Sequence, residues 1–89
     1  MQFDFDSHKS EGNRSKHGID FRVAQALWED SDRVEIPARM EDEPRLMVIG
    51  RIGARVRSAV ITYRGDVVRM ISVRPANRKE VEIYEGEGV

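Results

Sequence analysis

The amino-acid sequence predicts an α+β domain: a small antiparallel sheet, with two helices ahead of it in the chain packed on one face and one short helix behind it. Three observations carry that expectation. Gly65-Asp66 lies between two β-prone runs, and glycine in a two-residue loop supplies the positive φ that primed hairpin turns need. Asn77-Arg78-Lys79-Glu80 has the spacing of a capping box, with Asn in the Ser/Thr place, so a helix begins there. Near the amino terminus His17-Gly18 ends one helical stretch, and Asp20 caps a second.

In chain order, Phe3 and Phe5 alternate with Asp4 and Asp6, the pattern of a short strand with one apolar side. Asp6 or Ser7 then caps a brief polar helix through Lys16. Gly18 takes the left-handed position past its end, and cationic Lys16 and His17 sit where the helix dipole favours positive charge. In the next helix Phe21, Ala24 and Trp28 share a face, with Val23 and Leu27 beside them and Ile19 stapling to Ala24 across the cap. Glu29-Asp30-Ser31-Asp32 ends that helix. Val34 and Ile36 alternate with Arg33 and Glu35 in a strand that Pro37 stops, and Ala38 to Pro44 reads as an acidic loop.

Arg45 to Ile52 and Arg55 to Arg64 then form a hairpin around Gly53-Ala54, and Arg64 to Val67 turns into the next strand. Pairing Arg64 with Val67 sets Thr62 against Arg69, Ile61 against Met70, Val60 against Ile71 and Ala59 against Ser72. One face then holds Leu46, Val48, Gly50, Ala59, Ile61, Tyr63, Val68, Met70 and Ser72. This nearly apolar face takes the amino-terminal helices. The other keeps an apolar middle of Met47, Ile49, Val60, Ile71 and Val73, ringed by Arg45, Arg51, Arg64 and Arg69. The late helix, running from Arg78 to about Glu85 and stopping at Gly86-Glu87-Gly88, covers it only in part, which leaves a groove with a basic rim.

The 89 residues suffice for one domain, spanning 1–89, with a single modest core. With no cysteine there is no disulfide frame, and only His8 and His17 offer imidazole, so a structural zinc is not expected and no metal or cofactor is invoked. No apolar run is long enough to span a bilayer and the start lacks a signal-peptide pattern, so the expected location is the cytoplasm. Net charge is −1, but unevenly placed: residues 1 to 44 hold six Lys/Arg against eleven Asp/Glu, and residues 45 to 89 hold nine against five. Eight of those nine bases are arginine, whose planar fork suits phosphate.

These residues resemble a known family. Phe5-Asp6, Lys9, Asn13, Lys16-His17-Gly18, Phe21 and Ala24, then Arg45, Ile49-Gly50, Arg64-Gly65, Arg69, Ile71-Ser72, Arg74, Ala76, Glu80 and Tyr84, together look like the BrnT family of bacterial toxins. The resemblance covers nearly the whole chain. It implies a RelE-like fold and a ribonuclease that blocks translation. It also implies neutralisation by a BrnA-type antitoxin carrying a ribbon-helix-helix part, expected as a 2:2 complex that reaches operator DNA through the antitoxin.

Metal-free RNA cleavage needs a base for the 2′-hydroxyl proton, cations to hold charge on the phosphorane, and an acid for the leaving oxygen. Arg64, Arg69 and Arg74 are the candidates for the cationic task; as exposed strand arginines, Arg64 and Arg74 would contribute little to stability. Glu80 is the natural carboxylate base, though its place also suits reaching back to the Asn77 amide as a cap. Tyr84, one turn later, can stack on a base, give a proton or simply pack; a phenol near pKa ~10 is a poor acid at neutral pH. His17 offers an imidazole, a side-chain type suited to proton transfer, yet has a structural reason to stand at a helix end. Lys16, Arg45, Arg51 and Arg78 are expected RNA contacts. Met47, Ile49, Val60, Arg69 and Ile71 are expected to meet the antitoxin. A reading from another class keeps the fold but drops the chemistry, leaving a non-catalytic module that holds a ribbon-helix-helix antitoxin and tunes repression.

Overall fold

The computed structural model describes residues 1–38 and 43–86. Strand β1 (Gln2–Asp4) leads into helix α1 (Ser7–His17), the short α2 (Phe21–Ala24) and a 3₁₀ segment (Gln25–Glu29). Strands β2 (Val34–Pro37), β3 (Leu46–Ile52), β4 (Arg55–Arg64) and β5 (Val67–Pro75) follow, then α3 (Arg78–Glu85). The sheet order is β1-β5-β4-β3-β2. Its β2 to β5 pairs are antiparallel, and β1 adds to the β5 edge in parallel, with Phe3 beside Val68. The α+β class and the placing of the helices are as expected, with that one parallel edge making the sheet mixed. Positions 39–42 of the expected acidic loop, and 87–89 of the tail, lie outside the described residues.

The helix punctuation follows from single residues. Asp6 accepts from the Lys9 amide at 3.0 Å, and Gly18 at φ 76° ends α1 by donating to Arg14. Asp20 accepts from the Arg22 and Val23 amides at 2.9 Å. Beyond Ala24 the backbone tightens to 3₁₀, where residues three apart eclipse. That repeat lines Ala24 and Leu27, both fully buried, toward the sheet and leaves Val23 half-exposed rather than flanking the core. The core lies between these helices and the sheet: Ile19, Phe21, Ala24 and Leu27 against Val48, Ala59, Ile61, Val68, Met70 and Val73. Trp28 packs at its margin, edge-on to Phe3 with ring centroids 5.0 Å apart. Gly50 lets the 3₁₀ segment close on β3, since a Cβ there would meet Leu27 Cδ2 at 3.1 Å.

The β3–β4 register is as expected, with Ile52 opposite Arg55 and Leu46 opposite Ile61. The β4–β5 register holds from Arg64/Val67 to Ile61/Met70 and then shifts, so that Val60 faces Ser72 and Ala59 faces Val73. The expected pairs Val60/Ile71 and Ala59/Ser72 are thereby corrected. The extra residue, Ile71, makes a β-bulge, and a one-residue insertion turns every later side chain to the other face. Val73 therefore belongs to the core, not to the open face's apolar middle, and Arg74 goes to the open face in its place.

Asn13 fixes the strand where the bulge leaves it. Its Nδ2 donates to the carbonyls of Val73 and Ile19 at 2.7 Å, and its Oδ1 accepts from the Val73 amide at 3.2 Å. A buried backbone edge left unpaired costs free energy, and here one amide side chain closes it beyond the short β1.

Candidate nucleic-acid interface

The open face of the sheet presents Met47, Ile49 and Arg51 from β3, Ser58, Val60, Thr62 and Arg64 from β4, and Arg69, Ser72 and Arg74 from β5, as the strand pairings require. Helix α3 lies over the end of this face that carries Ile49 and Ser58. The Asn77 side chain accepts from the Glu80 amide and Glu80 Oε1 from the Asn77 amide, both at 2.9 Å, completing the capping box.

The same carboxylate grips an arginine. Arg74 donates through Nη1 to Glu80 Oε1 and through Nη2 to Oε2, each at 2.7 Å, and Ser58 Oγ donates to Oε1 at 2.9 Å. Glu80 is 7% exposed. The Arg74 fork, together with the Asn77 amide and the Ser58 hydroxyl, overrides its burial and holds the carboxyl down at about 2. Glu80 in turn pushes the Arg74 guanidinium up. A carboxylate so fully engaged is a weak proton acceptor; its geometry is that of a cap and an arginine clamp.

The other two expected phosphate-binding arginines stand toward the far end of the face. Arg69 donates to Asp4 at 2.7 Å, and Arg64 to Glu43 at 3.1 Å. Arg64 lies at the β4–β5 turn and Arg74 at the opposite end of β5, so the three do not converge on one point. Thr62, between them, is tied down by donating to the Pro44 carbonyl at 2.8 Å.

Tyr84 occupies the other end of α3. Its hydroxyl donates to Asp30 Oδ2 at 2.7 Å, the same oxygen accepts the Arg51 amide at 2.8 Å, and the Arg51 guanidinium lies over the Tyr84 ring, 5.7 Å from its centroid. The Asp30 bond raises the phenol's pKa, with burial adding to it, and the Tyr84 hydroxyl lowers that of Asp30. Tyr84 is thus a worse acid than a free phenol.

His17 is half-buried at the end of α1, one turn beyond Asn13 on the side that Asn13 turns to β5. Lys16 beside it is exposed. Arg78 is 95% exposed and pairs with Glu82 at 3.6 Å, and Arg45 is half-buried. Of the expected partner contacts, Met47, Val60, Arg69 and Ile71 are half-buried, whereas Ile49 is fully covered and offers no surface.

Ser58, Asp30, Asp4 and Glu43 hold the candidate groups in place and were not singled out by sequence. Ser58 carried one usable signal, a hydroxyl at a strand position that alternation turns toward a helix. Asp30 read only as a helix end, because its partners are 21 and 54 residues away.

Residues 5–80 match the family described as the ribonuclease toxin BrnT of type II toxin-antitoxin systems, and the chain belongs to that family. It is accordingly a RelE-like ribonuclease toxin with a cognate antitoxin as its partner. No curated protein matches the chain. Among the described residues no helix is long and apolar enough to cross a membrane.

Proposed function

We propose that this toxin is a metal-independent endoribonuclease that halts translation by cleaving RNA in the cytoplasm, with Arg74 as its fixed phosphate-binding group. The carrying observation is the Arg74–Glu80 clamp, with both nitrogen–oxygen contacts at 2.7 Å, on the face to which the Ile71 bulge turns Arg74. Arg74 Nη1 also donates to the Pro75 carbonyl at 3.2 Å. A guanidinium so fixed in direction loses little freedom on meeting a phosphate, and its Nε and second Nη2 hydrogens remain to hold charge on the phosphorane. Glu80 acts as the positioning group. Proton transfer is assigned to His17, which stands one helical turn beyond Asn13, the residue bonded to the backbone of Val73 immediately before Arg74 on the β5 edge; Glu80 is engaged by four donors and Tyr84 by Asp30. Among the described residues the His17 side chain is engaged by no hydrogen bond or ion pair, and it is half-buried rather than sealed. Arg64 and Arg69 contact the backbone further along the strand, with Lys16, Arg45 and Arg78 as lesser backbone contacts and Arg51 as a contact to another part of the RNA.

The test is induced expression with a growth readout and a cleavage map of cellular RNA, for wild type, Arg74→Ala, Arg74→Lys and His17→Ala. Both Arg74 variants should lose cleavage, lysine because it lacks the fork, and His17→Ala should lose it while remaining folded. Full toxicity from a folded Arg74→Ala would overturn the assignment. A true RNA groove should also bind a short uncleavable RNA with affinity that falls steeply as salt rises; salt-insensitive or absent binding favours the non-catalytic module.

For the partner we propose a BrnA-type ribbon-helix-helix antitoxin in a 2:2 complex that binds its operator through the antitoxin. Half-buried Met47, Val60 and Ile71 beside Arg64 and Arg69 suit an amphipathic segment bearing carboxylates. Ile71→Glu with Arg69→Glu should weaken binding at least tenfold in a titration. Unchanged affinity in the folded double variant would place the partner elsewhere.

A further inference from the structure

We propose that Arg51 and Tyr84 form a subsite for the base of a nucleotide close to the phosphate held at Arg74, and that this subsite favours guanine over uracil. The proposal rests on the ribonuclease reading above. Tyr84 is clamped: its hydroxyl and the Arg51 amide share Asp30 Oδ2 at 2.7 and 2.8 Å, while Asp30 Oδ1 accepts the Asp32 amide at 2.9 Å. The ring cannot turn away without breaking that hydrogen bond. The Arg51 guanidinium lies 5.7 Å from its centroid with Nη1 donating to the Ala54 carbonyl at 3.5 Å, and the residue is exposed, so the ring and the planar cation together border solvent. Single-stranded bases stack on aromatic rings and on arginine planes of this kind.

The surroundings select the ligand. An open cavity of about 560 Å³ is lined by Asp32, Arg51, Tyr84 and Glu85. A bare phosphate approaching Arg51 would meet the carboxylates of Asp30, Asp32 and Glu85, so the fitting group must bring hydrogen-bond donors together with a flat face. Guanine presents two adjacent donors on its Watson–Crick edge, matched to the two oxygens of a carboxylate. Uracil presents one donor between two carbonyls and would set acceptors against acceptors.

Position agrees with chemistry. Arg74, Ser58 and Ile49 stand in one row across β5, β4 and β3, and Arg51 lies two residues beyond Ile49 on the same face. With strands ~4.8 Å apart and a rise of ~3.4 Å per residue, the two arginine backbones are roughly 12 Å apart; α3 lies over Ile49 and Ser58 between them, so an RNA strand reaches both by running along the outside of that helix from its Glu80 end to its Tyr84 end. Glu80 and Tyr84 are also one helical turn apart on α3, so one helix positions both groups.

The experiment has a binding arm and a cleavage arm. Uncleavable 2′-O-methyl hexamers differing only in carrying one guanine or one uracil in an otherwise adenine strand are titrated against wild type, Arg51→Ala, Arg51→Lys and Tyr84→Phe. A random-sequence RNA pool is cleaved by the same proteins and the cut sites are sequenced. Wild type should bind the guanine strand about tenfold tighter and show guanine enriched near the cut. Arg51→Ala and Arg51→Lys should lose that preference, since lysine restores charge but no plane, and Tyr84→Phe should lose it in part. Equal affinity of wild type for the two strands, or a preference that survives Arg51→Ala, overturns the subsite. A wild type that cuts nothing in the pool overturns the ribonuclease reading, and the binding arm then still decides the subsite.

Discussion

On the helical face of the sheet Val48, Ala59, Ile61, Val68, Met70 and Val73 are sealed beneath Phe21, Ala24 and Leu27, whereas on the opposite face Met47, Val60 and Ile71 are only half-covered, Ile49 being the one sealed residue of the apolar strip that stays there. The first face is held by close apolar packing over many neighbours. The second is held by directional polar contacts at the two ends of α3, Glu80 with Arg74 and Tyr84 with Asp30. A strand normally divides its residues between faces by strict alternation, and β5 does not. The bulge at Ile71 hands Val73 to the packed face and Arg74 to the polar one, so a single inserted residue serves both the stability of one side and the chemistry of the other.

The two faces should differ most at Leu27. Leu27→Ala should cost about 2–5 kcal/mol in urea denaturation, because the 3₁₀ segment is fixed against β3 and cannot close the hole. Met47→Ala on the other face should cost under about 1.5 kcal/mol, since solvent already reaches that side chain. Similar losses at the two positions would mean that the open face is as closely packed as the core.

Next comes Arg74→Ala, for which we expect a loss of about 2–3 kcal/mol. Removing the guanidinium leaves Glu80, its side chain 9% exposed, charged and short of two donors. The expectation that strand arginines are thermally silent is thus corrected for Arg74. Glu80→Gln in the Arg74→Ala background should recover part of the loss by removing the unpaired charge, and no recovery in thermal melts would show that the charge is not what costs stability.

Acid should reveal the same clamp. The Glu80 carboxyl titrates near 2 when folded against an ordinary 4.5, so its contribution is complete above pH 4.5 and is lost as pH falls through 2. After allowance for solvent near the clamp, the loss amounts to about 1–3 kcal/mol. Asp6 and Asp30, both also lowered, act with the same sign. Denaturation midpoints of wild type and Glu80→Gln across this range should converge as the pH falls; parallel curves would remove Glu80 from the linkage.

Much of the fold was legible because its signals are local. Gly18 and Gly65 at positive φ, the caps at Asp6, Asp20 and Asn77, and the Gly53-Ala54 turn each act within a few residues. The bulge was not legible. Ile71-Ser72-Val73 alternates plausibly in either register, and what decides between them is Asn13, 60 residues away, pairing with the Val73 backbone. For the same reason the arginines could be named from the strand sequence but not their partners, since Asp4 and Glu43 come from separate parts of the chain.

The smallest effect belongs to Arg64. Its side chain is 56% exposed and that of Glu43 40%, and the two meet through one contact of 3.1 Å rather than a fork. An exposed pair of this kind gains little Coulomb energy in water, gives up side-chain freedom to form and is screened by salt, so Arg64→Ala should change stability by under about 0.5 kcal/mol. Its worth lies in accessibility. Glu43 holds Arg64 near the β4–β5 turn yet can yield it to a phosphate at small cost, which Glu80 cannot do for Arg74. Arg64→Ala should therefore weaken binding of an uncleavable RNA several-fold and reduce the slope of affinity against salt by about one phosphate contact, while the melting curve stays in place. Glu43→Gln should move RNA affinity the opposite way by freeing the guanidinium. If Arg64→Ala lowered the melting midpoint as much as Arg74→Ala does, the two ends of the polar face would be held alike and the contrast between clamp and loose pair would be lost.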